Sequence, residues 1–185
     1  MRSYVLFLLL SVFLAVFSTG CGKSGVQAAR ENDLTPQKIL SVDDQKFLDS
    51  AEKSGIRQNT MAQEAIRRSK NAEVQAFATK VTNDMSVVLT ELKDLMKAKH
   101  LGEPAAFAEE AHSETVARLK SVSDDAFDRE FVSLMTVEAQ ETARMFDSAA
   151  QTAADPDVRK YAMRNLAAVQ ANYDKATELQ TKLMH

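Results

Sequence analysis

From Val158 to the C-terminus, apolar positions recur at steps of four and three without a slip: Val158, Ala162, Val169, Ala176, Leu179 and Leu183, with Asn165 and Asn172 completing the series. At 3.6 residues per turn this spacing makes one stripe, which a long helix has to bury against partner helices. Asp155-Pro156-Asp157 opens it with an N-cap carboxylate and the residue best tolerated at the first helical position. The two amides stand where apolar residues are expected, so what faces them is the first question to put to the fold.

Three more long helices follow from the same pattern. Ser41-Val42-Asp43-Asp44 reads as a cap with an acidic first turn, and Leu48, Ala51, Gly55, Gln58, Ala62 and Ala65 form a narrow stripe that admits a close neighbour. Asn71 caps the second helix, with Val74, Phe77, Val81, Met85, Val88, Leu92 and Leu95 on its inner face. Ala105 to Val122 is the crossover, where Val116, Leu119 and Val122 predict a short helix. Ser123 caps the third long helix, whose face carries Phe127, Phe131, Leu134 or Met135, Glu138, Thr142, Met145 and Ala149. Two hairpins joined by one long connection predict an all-α, ferritin-like four-helix bundle over residues 41–184. Nothing reads as strand. A shift of 84 residues lays the second hairpin on the first, pairing Asp44 with Asp128, Phe47 with Phe131, Met61 with Met145, Val74 with Val158, Ala78 with Ala162, and Phe77 with Tyr161. Two related hairpins about a pseudo-twofold axis are the expectation.

The N-terminus changes the picture from fold to location. Met1-Arg2 precedes an apolar run from Tyr4 to Phe17, which reaches roughly 21 Å as a helix against a bilayer core of ~30 Å. It ends Ser18-Thr19-Gly20-Cys21, so a signal peptide over residues 1–20 is expected. The small residues before the cysteine resemble the lipobox of bacterial lipoproteins, which implies a lipidated Cys21 as mature N-terminus. Gly22 resembles the pattern sorted to the outer membrane. Residues 21–40 are polar, aperiodic and contain Pro36, and read as a flexible tether.

Composition mainly excludes. Of five glycines in 185 residues, only Gly55 and Gly102 lie past the leader and its junction, so no glycine-rich phosphate loop exists. A net charge of −3 argues against a nucleic-acid partner. A lone cysteine at the lipidation position and three histidines in peripheral places leave no Ser-His-Asp or Cys-His arrangement.

Asp44-x-x-Phe47, Phe77-Ala78 followed by Asp84, Phe127-Asp128-x-x-Phe131 and Ala162 resemble the bacterial family catalogued as domain of unknown function 4142, over nearly all of residues 41–182. The resemblance implies a ferritin-like bundle behind a signal peptide, often labelled a predicted outer membrane protein, with no established reaction. Many relatives carry Asp-His where this chain has Asp84-Met85. Later family histidines fall near Ala139 and Asn172, and an early glutamate is replaced by Gln58. The resemblance therefore carries no metal site over to this chain.

The chemistry left to weigh is a core-polar set: Gln58, Asp84, Glu138, Thr142, Asn165 and Asn172. Such oxygens suit a cation or a small polar ligand. Equally, the same groups can bond one another and fix helix register, a known use of a buried Asn. Glu109-x-x-His112 is the one Glu-x-x-His motif and lies in the crossover, where a solvated acidic segment explains it. Met61, Met85, Met96, Met135, Met145 and Met163 suit copper as soft ligands but serve first as core filler. The expectation is a non-enzymatic, lipid-anchored bundle facing the periplasm, without cofactor or metal. It is held to the membrane through its N-terminal lipid, with an envelope protein as possible partner. A metal-binding or oxidoreductase bundle is the first alternative, and a carrier of a small apolar ligand, needing a cavity against the small stripe of the first helix, is the second.

Overall fold

The computed structural model describes residues 40–101 and 113–184. Among the described residues five helices follow one another: α1 (Val42–Arg68), α2 (Ala72–Ala98), α3 (Glu114–Ser121), α4 (Asp124–Thr152) and α5 (Pro156–Met184). The caps stand where the sequence puts them. Ser41 Oγ accepts from the Asp44 N–H at 3.0 Å, Asn71 Oδ1 from Glu73 and Val74, and Asp155 Oδ1 from Asp157 and Val158. Each such cap contributes about 1 kcal/mol. Ser123 occupies the N-cap position of α4 without a side-chain cap bond.

Polar contacts fix the topology. Arg68 at the end of α1 meets Asp124 at the start of α4, and Asp44 at the start of α1 meets Asp155 at the other end of α4. Lys99 at the end of α2 meets Asp155 at the start of α5, and Glu73 at the start of α2 meets Lys182 at the end of α5. All neighbouring long helices are therefore antiparallel, α1–α2 and α4–α5 are hairpins, and α4 begins at the opposite end of the bundle from where α2 stops. That is the ferritin-like connectivity. The short α3 buries Val116 and Leu119, and Arg68 holds it by donating to the carbonyls of Leu119, Lys120 and Val122 while lying 4.3 Å over the Phe127 ring.

The core follows the predicted stripes with four corrections. On α4, Phe146 is fully buried where the sequence reading placed Met145, which is half-buried, and on α5 Tyr161 joins the core beside Val158. On α2, Met96 is buried and Leu95 is half-buried. Leu40, assigned to the tether, is buried and packs in the core. The pseudo-twofold is visible in the rings. Phe47 meets Tyr161 at 6.0 Å and 55°, and their counterparts 84 residues on, Phe131 and Phe77, meet at 6.0 Å and 54°. Gly55 permits the close approach of α2, since a Cβ there would sit 3.0 Å from Leu89 Cδ2. The small stripe of α1 is thus filled by α2 at this point, where the carrier alternative needs a cavity. Among the described residues no helix is long and apolar enough to cross a membrane.

Candidate functional site

The six core-polar residues do not converge. They divide between two seams joining the hairpins, and each seam supplies partners from the facing helix.

In the α1/α4 seam Gln58 Nε2 donates to Thr142 Oγ1 at 2.7 Å, and Thr142 Oγ1 donates to the Glu138 carbonyl at 2.8 Å. Gln58 and Thr142 are 84 residues apart, so each meets its own counterpart close to the pseudo-twofold axis. Glu138 is buried and accepts from Arg57 Nε at 2.9 Å. A shallow groove of about 240 Å³ opens above this pair, lined by Ser50, Lys53, Ser54 and Glu141.

In the α2/α5 seam Asn165 Nδ2 donates to Glu91 Oε2 at 2.9 Å and to the Tyr161 carbonyl at 3.0 Å. Arg164 reaches the same Glu91 oxygen at 3.2 Å. The Tyr161 hydroxyl donates to the Val88 carbonyl at 3.3 Å, and burial followed by the Glu91 charge pushes its phenol well up, so it stays protonated. Two turns along, Lys80 Nζ sits between Asp84 Oδ2 at 2.5 Å and Asn172 Oδ1 at 2.9 Å. Asp84 is not a core residue as the sequence reading had it. It is half-buried at the seam's edge, where its carboxylate stays solvated and meets a lysine.

The end of the bundle nearest Leu40 is clasped. Asp44 accepts from the N–H groups of Ala154 and Asp155, and Asp155 in turn holds Lys99. Burial pushes the Asp155 carboxyl up, but the Lys99 ammonium and the N–H groups of Asp157 and Val158 outweigh it and leave it below its ordinary value. Lys99 is raised by its bonds to Asp155 and Asp157. At the opposite end Glu178 is drawn down to about 2 by Lys175 and Lys182.

A ferritin-like bundle invites a dinuclear metal at mid-length, a centre that needs several carboxylates and imidazoles facing inward. The described inward groups are amides, hydroxyls and thioethers without an imidazole, and the buried glutamates Glu52, Glu64 and Glu138 are spread along α1 and α4, with Glu64 on Arg67 and Glu138 on Arg57, so the donor set does not fit such a centre. Among the described residues no three His, Cys, Asp or Glu side chains come together as a metal would require. Cys21, Glu109 and His112 lie outside the described residues. His100 is exposed and ends α2 with a positive φ of 55°. The partners Arg57, Lys80 and Glu91 read in the sequence as solvated surface, and Lys99 as a residue that ends α2.

A family model with the description "Domain of unknown function (DUF4142)" matches residues 29–179. Among solved structures, one titled "Crystal structure of DUF305 fragment from Deinococcus radiodurans" is similar with a TM-score of 0.65 and 15% sequence identity, over 77% of this chain and 98% of that one. At that identity the likeness concerns the fold alone. No curated protein matches the sequence.

Proposed function

The chain belongs to the DUF4142 family, and from that premise we propose that it is a lipid-anchored, non-catalytic bundle that faces the periplasm from the outer membrane and acts through its surface. The observation that carries this reading is the fate of the six interior polar residues. Each bonds a partner in one of two separate seams, and all but Asp84 bond one on the facing helix, so apart from the Asn172 amide nitrogen these groups serve to hold one hairpin on the other. Buried polar groups that bond one another specify register, and that is a structural use. The anchor rests on the leader: a positive start, a short apolar run, and small residues before Cys21. With Leu40 in the core, the nineteen residues 21–39 would reach at most ~70 Å as a tether, enough to hold the domain clear of the membrane surface. An envelope protein is the partner class such a tethered surface would serve.

The test is Cys21→Ser with metabolic fatty-acid labelling and fractionation. The wild type should take up label and sediment with outer membranes, and the variant should do neither. An unlabelled wild type, with the variant fractionating unchanged, would contradict the anchor.

A further inference from the structure

Asn165 and Asn172 stand seven residues apart on one stripe of α5, and only Asn165 has its amide nitrogen engaged. Asn172 is 0% exposed, and its Nδ2 is buried without a hydrogen-bond partner. Turning the amide over would not help, because its Oδ1 already accepts from the Lys80 ammonium at 2.9 Å, where an N–H would be repelled. A buried donor left in this state is rare and asks for a reason. Three further facts surround it. The Lys80 nitrogen touches the oxygen of the Asn172 carboxamide, so the electrophilic Cγ is one bond beyond that contact. Asp84 holds the same nitrogen at 2.5 Å, in position to take its proton. Asn172 belongs to α5 and Lys80 to α2, 92 positions apart in the chain.

We propose that Lys80, Asp84 and Asn172 are a self-modifying triad that joins α2 to α5 by an amide bond between the Lys80 and Asn172 side chains. Asp84 draws a proton from the ammonium, and the freed lone pair of Nζ attacks Asn172 Cγ. The Nζ–Cγ bond forms, the Cγ–Nδ2 bond breaks, and Nδ2 departs. Two of the three ammonium protons go with it, passed on by Asp84, so that an ammonium ion and a carboxamide become a secondary amide and a free ammonium ion. Nothing is oxidised or reduced, and no co-reactant is needed. The fold supplies what amide exchange lacks in solution: the amine and the carboxamide held in contact, and an adjacent carboxylate to relay protons. Lys80 acts as the nucleophile, a recurrent lysine role once the amine is neutral. The Asn172 nitrogen, tied to nothing, is the leaving group. The product would lock the two hairpins together through a bond that neither heat nor denaturant reverses.

The test is mass spectrometry of the full chain, denatured and digested after incubation in neutral and in alkaline buffer. The expected product is a branched peptide joining the segments that carry Lys80 and Asn172, lighter by one ammonia than their sum. It should accumulate faster in alkali, because only the neutral amine attacks. It should be missing from Lys80→Arg, and it should form about a hundredfold more slowly in Asp84→Asn, with circular dichroism confirming that both variants remain helical. Wild-type chain that yields only the two separate peptides after prolonged alkaline incubation overturns the proposal. So does ammonia loss that persists in Lys80→Arg, which would place it in a succinimide at Asn172-Tyr173. An Asp84→Asn variant that reacts as fast as wild type overturns the role given to Asp84.

Discussion

The two seams that join the hairpins solve one problem in different ways. The α1/α4 seam is closed from inside: Gln58 on Thr142 is almost fully buried, and the Arg57–Glu138 pair has side chains only 20% and 11% exposed. The α2/α5 seam is closed from its edge, by Lys80–Asp84 at 43% and 23%, Arg164–Glu91 at 51% and 34%, and Lys182–Glu73 at 48% and 55%. Water screens the second set, so each pair contributes little, whereas losing one member of a buried pair leaves the other desolvated. The inner seam therefore sets register. The outer seam tolerates change, and it alone contains an amide nitrogen with no partner, on Asn172. A residue's value here depends on which seam it faces more than on its type.

Substitutions should rank accordingly. Phe146→Ala removes the ring between Phe47 and Tyr161 on which both hairpins rest, and should cost about 3–5 kcal/mol in denaturant unfolding. This is the ceiling against which the seams are compared. Arg57→Met should cost about 2 kcal/mol, below a fully buried pair because Arg57 keeps some solvent. Lys182→Met on the outer seam should cost much less than Arg57→Met and weaken the salt dependence of unfolding relative to wild type. If the two lysine and arginine changes cost the same, the distinction between the seams fails.

The Asp155 carboxyl is below its ordinary value of 3.8 in the folded chain, so its contribution is complete above that pH and fades as pH falls through the folded value. Lys99 is raised, so its side of the clasp is complete below its ordinary value and fades only as alkali passes the raised one. Carboxyl NMR titration should find Glu178 near 2 in wild type and higher in Lys182→Met. An unchanged Glu178 midpoint in that variant would remove Lys182 as a cause.

Most of the fold was legible because caps and stripes are local. Ser41, Asn71 and Asp155 announce helix starts through side-chain chemistry alone, and a 3.6-residue period needs no knowledge of the partner. Where two adjacent residues are both apolar, the period loses resolution, and on α4 it selects Met145 where Phe146 is the buried residue. The candidate site was half legible. Gln58, Glu138, Thr142, Asn165 and Asn172 stood out as polar residues on apolar stripes. Their partners did not, because Lys80, Glu91 and Arg57 keep part of each side chain in water and read as surface. That the set divides between two seams follows from which helices are neighbours, and one sequence does not order the helices around a bundle.

The claim at the centre of this account is that the interior polar groups serve each other. A double-mutant cycle on Gln58→Leu and Thr142→Val, measured by denaturant unfolding with and without a chelator and with added divalent cations, tests it most directly. The account predicts a coupling of about 1 kcal/mol that is the same in every buffer. A coupling near zero in chelator that appears only when a cation is added would mean that these residues face a ligand and not each other.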